Sequence, residues 1–399
     1  MHAVKAPAPV GLRSVRGVAN LAEFEARAGR VLPPAMHHYV AGHVEDGESH
    51  RRNLRSFRQR SFVPRVLVDV SARSAATSLF GRSHPYPFGI APMGSSRLIA
   101  RDGDVVLARA AARAGLPFVL SGASLTPMET VRAAGATSWF QAYIPGEPER
   151  IMALLDRVET TGFDTLVVTV DTAAHGQHEL AARHGFRFPA RIDPDLVWQG
   201  ATHPRWLWQV LLRDGLAGMK LRFENMDATA GPPVFSKTLV RDIGRRDALS
   251  WQHIETIRRR WTGKLVVKGI MAVEDARLAQ EHGADGIVIS NHGGRQIDCA
   301  IAALDALEAV AAENLSLAVL YDGGVRRGSD VLKAIRLGAD FVFVGRPFLQ
   351  AAAIGGEAGV SHALDLLGRE IDLTMALLGI ANLDALQDIA IRHDLSAAA

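Results

Sequence analysis

Short apolar runs alternate with segments of helical period from about residue 88 to residue 344. Runs this short, rich in β-branched residues and bounded by glycine and polar residues, are typical of buried parallel strands. The pattern predicts eight strands, at Phe88–Ala91, Pro117–Leu120, Ser138–Gln141, Thr165–Val170, Lys264–Val267, Gly286–Ser290, Ser316–Leu320 and Phe341–Val344.

Helix-sized, alanine-rich segments separate most of these strands. The clearest are Asp104–Ala114, Pro148–Thr160, Val273–His282 and Gly328–Leu337. Eight strand-then-helix units in a row favour a closed (β/α)8 TIM barrel over an open sheet. Because such barrels commonly use about 250 residues or more as one unit, we predict a single domain over residues 1–399.

Two regions fall outside this repeat. Helices near 21–30, 33–41 and 48–56 predict an N-terminal helical cap over about residues 20–60, and residues 357–379 are also predicted to be helical. After the fourth strand, about residues 173–250 form an insertion without a clear strand. A loop of this length is usually a lid or a binding surface.

The insertion contains an amphipathic segment, His203–Phe223, in which Trp206, Trp208 and several leucines alternate with basic residues. Such a segment either packs on the protein or lies at a membrane interface. Both interpretations stay open here. The second predicts a peripheral contact with the inner face of the membrane.

Composition narrows the function class. The chain is 48% hydrophobic and 22% charged, and its net charge of +3 comes from scattered arginines, so we predict no nucleic-acid partner. The lone Cys299 leaves no internal disulfide or thiolate metal site, which fits a cytoplasmic protein, and we predict no metal. The first twenty residues lack the apolar core of a secretion signal, and no run reaches the ~20 apolar residues of a spanning helix.

Polar side chains follow the ends of six consecutive predicted strands. In a TIM barrel these ends share one face, where the chemistry occurs. In strand order the residues are Gln141 and Tyr143, Thr169 and Asp171, Lys268, Ser290 with His292 and Arg295, Asp322, and Gly345 with Arg346. One polar strand end is ordinary, whereas six in a row predict an active site.

The seventh and eighth units carry glycine-rich basic loops. Gly323, Gly324 and Gly345 let backbone amides approach an anion, which Arg326 and Arg346 can neutralise. A short helix after Gly345 is predicted to direct its positive end toward the same point. Because the loops after strands seven and eight are the usual phosphate site of such barrels, we predict a phosphorylated ligand.

The stretch SNHGGRQID at 290–298 resembles the active-site signature of the FMN-dependent α-hydroxy acid dehydrogenase and oxidase family, which includes glycolate oxidase, flavin-using lactate dehydrogenases and mandelate dehydrogenase. The resemblance covers roughly residues 32–378. It includes PRVLVDVS at 64–71, GIAPMG at 89–94, FQAY at 140–143, TVDT at 169–172, VKGI at 267–270 and DGGVRRGSD at 322–330. It implies FMN as cofactor and oxidation of a lactate- or mandelate-like L-2-hydroxy acid to the 2-oxo acid.

The resemblance also implies roles for the substrate-side residues. His292 would take the substrate proton while an electron pair passes to flavin N5, since imidazoles titrate near neutrality. Asp171 would orient and stabilise that imidazole, and the planar fork of Arg295 would grip the substrate carboxylate. Tyr39 and Tyr143 would hydrogen-bond the substrate.

On the flavin side, the resemblance implies that Lys268 lies near N1 and O2, where reduction builds negative charge. Asp322 would bind the ribityl hydroxyls, and the phosphate would lie at Arg326, Gly345 and Arg346, beside Gly323 and Gly324. The remaining implied flavin contacts are Pro92, Met93, Gly94, Ser121, Gln141, Thr169 and Ser290.

One departure from the family pattern follows TVDT. The family commonly has a glycine, two basic residues and a glutamate there, the second basic residue being an arginine near the substrate, whereas this chain has Gln177 and His178. Either a protonated His178 replaces that arginine in part, or the pocket takes an atypical, larger substrate. Gly94 is common in members that pass electrons to acceptors other than oxygen, but quinone, cytochrome and O2 all stay open.

Two rival classes can be compared with this interpretation. A phosphate-binding barrel of the inosine monophosphate dehydrogenase type needs a nucleophilic cysteine, and Cys299 lies where the family pattern does not require one. A non-catalytic flavin-binding protein would not need His292, Asp171 and Arg295 together. The family resemblance further implies a homo-oligomer, most often a tetramer.

Overall fold

Eight parallel strands close into a barrel in the computed structural model, which describes residues 15–135, 138–186, 194–212, 221–234 and 246–394. Each strand pairs with the next, and β8 pairs with β1 to complete the closure. The strands are β1 (Phe88–Ile90), β2 (Phe118–Ser121), β3 (Ser138–Ala142), β4 (Thr165–Thr169), β5 (Lys264–Ile270), β6 (Gly286–Ile289), β7 (Ala318–Asp322) and β8 (Phe341–Val344). The predicted TIM barrel is confirmed, and no predicted strand end is displaced by more than three residues.

Amphipathic helices cover the outside of the barrel. In Pro148–Thr160, the buried residues Ile151, Leu154, Leu155 and Val158 recur at the spacing of one helical face, which packs on the strands. The four predicted outer helices are present within one residue of their predicted ends. The outer helices are Ser96–Ile99, Gly103–Arg113, Met128–Ala134, Pro148–Thr160, Trp251–Arg260, Val273–Glu281, Ala303–Ala311, Gly328–Arg336 and Arg346–Leu378.

The predicted N-terminal cap is present as three helices, Leu21–Val31, Pro34–Ala41 and Glu48–Arg58. The first begins after Asn20, whose side chain accepts a hydrogen bond from the Glu23 amide, as an N-cap residue does. Short paired strands that the sequence did not predict also lie outside the barrel. They are Arg60–Phe62 with Ile391–His393, and Thr77–Leu79 with Arg82–His84. A 3-10 turn, Asp384–Asp388, precedes the strand Ile391–His393.

The two helices predicted after β8 are both present. Arg346–Leu378 is divided at Gly356, whose backbone (φ 56°, ψ −140°) is not helical, so that a short helix follows Gly345 and a second helix ends at Leu378. The second half corresponds to the helix predicted at 357–379. A glycine tolerates this conformation, so the chain turns there without leaving the barrel surface.

The long insertion after β4 is confirmed and is largely helical where it is described. Its elements are Glu179–Arg183, Pro194–Thr202, Pro204–Trp206, a π-helical turn at Leu207–Leu212, an isolated bridge between Arg222 and Pro233, and the 3-10 turn Arg246–Ala248. Trp206 is buried, and its indole nitrogen donates to the Leu98 carbonyl oxygen at 2.8 Å. Residues 187–193, 213–220 and 235–245, which include part of the predicted amphipathic segment, lie outside the described residues.

Candidate active site

The ends of β5, β6 and β7 are joined by a buried polar network. The Ser290 hydroxyl donates to Asp322 Oδ1 at 2.5 Å and accepts from Lys268 Nζ at 2.8 Å, while Lys268 Nζ lies 3.0 Å from Asp322 Oδ2. Burial lowers the pKa of Lys268, but the charges of Asp322 and Asp171 outweigh it and raise that pKa. Lys268 is therefore a fixed cation in the floor of the site.

His292 lies against Asp171. The Nδ1 atom of His292 is 3.1 Å from both carboxylate oxygens of Asp171. A carboxylate only accepts hydrogen bonds, so Nδ1 is the donor in this contact and Nε2 is the remaining ring nitrogen. Burial raises the pKa of Asp171, but the charge of His292 and its hydrogen bond lower the pKa below its ordinary value.

The backbone explains the two glycines after this histidine. His292, Gly293 and Gly294 all have positive φ, at 56°, 65° and 77°. Three consecutive left-handed residues are costly for side chains other than glycine, and a non-glycine residue held there is typical of functional sites. A Cβ atom on Gly294 would also lie 2.6 Å from the backbone nitrogen of His50. The motif therefore encodes a tight turn that carries His292 at its start.

Arg295 and Tyr39 form one wall of the site. The Arg295 guanidinium lies 5.2 Å from the centroid of the Tyr39 ring and donates to the carbonyl oxygens of Tyr39 and Gly42 at 2.7 and 3.1 Å. The Tyr39 hydroxyl donates to the Gly94 carbonyl oxygen at 2.9 Å, and Phe186 stacks on the same ring at 4.1 Å. The N-terminal cap, the loop after β1, the loop after β6 and the insertion thus meet here.

Tyr143 follows β3 and lies near the same charges. Burial and Asp171 raise the pKa of its phenol, and Lys268 and Arg246 act in the opposite direction. The Arg246 guanidinium lies 4.7 Å from the centroid of the Tyr143 ring. Sequence reasoning missed both Arg246 and Phe186, because neither follows a strand end and the insertion offers no periodic signal that would single them out.

His178 does not supply the positive charge expected of it. Burial, followed by the charges of Arg295 and His292, lowers the pKa of His178 to about 4. At pH 7 the side chain is therefore neutral. This lowered pKa argues against the alternative in which a protonated His178 replaces the arginine in part, and it leaves the alternative of an atypical, larger substrate.

The predicted phosphate end holds two partly buried cations, Arg326 and Arg346. Arg346 donates to the Gly293 carbonyl oxygen at 2.6 Å and to His50 Nδ1 at 3.0 Å. Burial, with Arg295 and Arg326 nearby, lowers the pKa of Arg346 to about 9, and burial also lowers the pKa of Arg326. The charge of Arg326 is one cause of the lowered pKa of Arg346, and two cations that repel each other in this way favour an anion between them.

Other predicted residues surround the same cleft. Pro92, Lys268 and Asp322 line a cavity of about 10 Å³ whose other walls are side chains of the barrel core, and the Met93 sulfur would lie 3.5 Å from a Cβ atom on Gly345. The Ser121 hydroxyl donates to Gln141 Oε1 at 3.0 Å. Within the part of the chain that the structure describes, Gln141 Nε2 and Thr169 Oγ1 are buried without a hydrogen-bond partner. Buried polar atoms are normally satisfied, so these two point to a bound polar ligand.

A family model for FMN-dependent dehydrogenases matches residues 28–393. The chain belongs to this family, as the resemblance in its motifs implied. It is an enzyme that uses FMN, and this assignment removes the inosine monophosphate dehydrogenase type of barrel.

Relatives narrow the class further. The L-lactate dehydrogenase of Pseudomonas aeruginosa (strain LESB58) is 38% identical to this chain, and the match covers 94% of this chain and 98% of the relative. The L-lactate dehydrogenase of Xanthomonas campestris pv. campestris (strain 8004) is also 38% identical, and the match covers 91% of this chain and 94% of the relative. Among solved structures, the monotopic membrane protein (S)-mandelate dehydrogenase matches at 34% identity with a TM-score of 0.85, covering 94% of this chain and 100% of that one. Mandelate oxidase with (S)-2-phenylpropionate matches at 31% identity with a TM-score of 0.78, covering 94% and 98%.

The residues present fit FMN. The unpartnered Gln141 Nε2 and Thr169 Oγ1 offer polar contacts of the kind that an isoalloxazine edge requires, with the cation of Lys268 beside them. Arg326 and Arg346 offer two partly buried guanidinium groups for a phosphate. The two ends are joined by Asp322, whose carboxylate is suited to a polyol chain.

Proposed function

We propose that this enzyme oxidises a lactate- or mandelate-like L-2-hydroxy acid to the 2-oxo acid. The observation that carries the proposal is the contact of His292 Nδ1 with both oxygens of Asp171 at 3.1 Å. Binding of a flavin does not require such a pair, whereas proton abstraction does. Relatives named L-lactate dehydrogenase and mandelate oxidase support the substrate class.

In this proposal His292 Nε2 removes a proton from the substrate. Asp171 keeps the Nδ1 proton in place and stabilises the imidazolium that forms, because its own low pKa keeps it ionised. FMN, when bound, accepts the electron pair of the oxidised carbon.

The substrate carboxylate is assigned to Arg295, whose guanidinium is already held in orientation by two backbone carbonyls. Prior orientation lowers the entropy that is lost when the acid binds. The Tyr39 and Tyr143 hydroxyls are assigned to the same acid, and Tyr143 also belongs to the catalytic group because it lies near Asp171. His178 is assigned to the substrate side as a neutral hydrogen-bonding group.

The flavin contacts are proposed as follows. Lys268 supplies positive charge at the isoalloxazine ring, and Asp322 binds the ribityl chain. Arg326, Arg346 and the loop glycines hold the phosphate. The ring contacts are assigned to Pro92, Met93, Gly94, Ser121, Gln141, Thr169 and Ser290.

The experiment mixes the purified yellow protein with 2-hydroxy acids under anaerobic conditions and follows flavin absorbance near 450 nm, an approximate wavelength for oxidised flavins. The panel contains both enantiomers of lactate and mandelate and a longer-chain acid. We expect bleaching by the L-lactate or (S)-mandelate type only. Bleaching by none of these acids would reject the proposal, and bleaching by the longer acid alone would favour the larger-substrate alternative.

We further propose that the insertion brings the protein to the inner face of the cytoplasmic membrane. Four apolar residues of its helical segments are exposed, namely Val197, Trp198, Trp208 and Leu212. Among the described residues, no helix combines the length and hydrophobicity needed to cross a bilayer. A structural relative is titled a monotopic membrane protein, which supports surface attachment. A membrane quinone or cytochrome is then the proposed electron acceptor, and O2 the alternative.

We propose that the chain forms a homo-oligomer, most simply a tetramer. Exposed apolar residues cluster where the segment after Phe62 runs beside the end of the last helix, where the Arg65 amide donates to the Leu378 carbonyl oxygen. The cluster consists of Val63, Val66, Leu67, Leu373 and Leu377. Exposed apolar patches of this kind are typical of protein interfaces.

A further inference from the structure

Arg246 lies where the insertion returns to the barrel. It begins the turn Arg246–Ala248, and the helix Trp251–Arg260 follows before β5. Outer helices of a (β/α)8 TIM barrel run from the C-terminal face back to the start of the next strand, so a residue just before this helix lies at the C-terminal face. The insertion thereby places a basic side chain beside the residues of the candidate site.

The environment of Arg246 is unusual for an arginine. Only 4% of its surface is exposed, and its guanidinium carbon lies 4.7 Å from the centroid of the Tyr143 ring. A planar guanidinium over an aromatic face is attracted by the ring quadrupole, more strongly when water is excluded. The contact therefore restricts rotation of the Tyr143 ring.

The two tyrosines of the site share this arrangement. Arg295, from the loop after β6, covers the Tyr39 ring at 5.2 Å, and Arg246, from the end of the insertion, covers the Tyr143 ring at 4.7 Å. Each phenol thus has a cation on its face. The same feature built twice, from separate parts of the chain, is better explained by a common ligand than by core packing.

The charge of the site gives a second reason. The loop after β4 contributes Gln177 and His178, and the pKa of His178 is lowered to about 4, so neither residue is charged at pH 7. Arg246 adds positive charge next to Tyr143 and lowers the pKa of that phenol. A substrate carboxylate between the two tyrosines would then lie near two guanidinium groups.

We propose that Arg246 is a positioning residue for the reaction, holding the Tyr143 hydroxyl toward the substrate carboxylate. It acts through Tyr143 and does not touch the reacting atoms. The inference rests on the proposed oxidation of a 2-hydroxy acid.

The test measures anaerobic flavin reduction over a range of acid concentrations for Arg246→Met, Arg246→Lys and the exposed control Arg222→Met. We expect Arg246→Met to raise the half-saturating concentration about 10- to 100-fold, the range for loss of a charge-assisted contact, with a smaller change in the limiting rate. Lysine keeps the charge but cannot stack as a planar group, so Arg246→Lys should give a half-saturating concentration between those of the parent and of Arg246→Met. The control should match the parent.

A double-mutant cycle with Tyr143→Phe separates positioning from a direct contact. If Arg246 acts through the hydroxyl, Arg246→Met should change the half-saturating concentration less than about two-fold in the Tyr143→Phe background. A full effect in that background, or parent-like values for Arg246→Met, would overturn the inference. If Arg246→Met does not retain flavin, the test rests on Arg246→Lys, and a half-saturating concentration equal to that of the parent in this variant would overturn the inference. Failure of every acid to reduce the parent is a separate outcome, which rejects the proposed function and this inference with it.

Discussion

His292 lies at the start of a left-handed turn, and the glycines that this backbone conformation favours are visible in the sequence motif. The three positive φ angles at 292–294 explain why two glycines follow the histidine, and Asp171 explains the histidine's orientation. His292 and Asp171 could be predicted as candidate site residues from the sequence, because each follows the end of a strand in a repeating fold. Arg246 could not, since its approach to Tyr143 depends on how a long insertion folds back.

Replacement of Gly294 by alanine should destabilise the protein more than replacement of Gly81. Both glycines have φ of 77°, but a Cβ atom on Gly294 would lie 2.6 Å from the His50 backbone, whereas Gly81 has nothing within 4 Å. The shared conformation costs roughly 1 kcal/mol in each variant. The overlap should lower the free energy of unfolding by about 1 to 3 kcal/mol more in Gly294→Ala, measured by denaturant titration. Equal losses in the two variants would contradict this account of the turn.

His178 should contribute no charge in the physiological range. Its lowered pKa of about 4 means that the protonated form is populated only below about pH 4, not as the pH falls from 8 to 5. We therefore expect His178→Gln to leave the KM for the acid at pH 7 within about two-fold, since one neutral hydrogen-bonding group replaces another. A titration between pH 5 and 8 that disappears in His178→Gln would show the opposite.

Among the elements, the strands and helices of the barrel could be predicted because apolar residues recur at different spacings in a strand and in a helix, and because the strand–helix unit repeats eight times. The predictions failed where packing, not period, decides. The hairpin Thr77–His84 is fixed by the contact of Phe80 with Trp139, and the strand Arg60–Phe62 pairs with Ile391–His393 from the other end of the chain. Neither contact has a local signal in the sequence.

The helical part of the insertion should bind membranes through its exposed aromatic residues. Trp198 is 68% exposed and Trp208 is 54% exposed, which suits insertion at the level of lipid headgroups. The double variant Trp198→Asp/Trp208→Asp should reduce co-sedimentation with anionic lipid vesicles at least about 10-fold. Leu67→Asp, in the separate apolar cluster, is the matched control and should sediment like the parent. Unchanged sedimentation of the double variant would place the membrane contact elsewhere.

In the whole molecule, two groups of exposed apolar residues lie outside the closed barrel among the residues that the structure describes and matter for the proposed partners, one on the insertion and one beside the end of the last helix. The sequence could not predict the second, because Leu67 and Leu377 are far apart in the chain. Their proximity follows from the contact of residues 65 and 378. We propose different partners for the two surfaces, the membrane for the first and a second copy of the chain for the second.

The double variant Leu67→Asp/Leu377→Asp should dissociate the oligomer. Charges buried between copies without partners are costly, so the elution volume and the light-scattering mass should shift toward the monomer of 43.0 kDa. Trp198→Asp/Trp208→Asp should leave the mass unchanged. A monomeric parent would exclude an oligomer, and an unchanged mass in the Leu67→Asp/Leu377→Asp variant would exclude this interface.

In the proposed reaction, His292, oriented by Asp171, removes the substrate proton. The decisive measurement is the rate of anaerobic flavin reduction in His292→Gln, with His393→Gln, at an exposed histidine, as control. Loss of a general base predicts a fall of about 10²- to 10⁴-fold with the flavin still bound and its oxidised spectrum unchanged, while the control reduces at the parent rate. Reduction of His292→Gln at the parent rate would contradict the account.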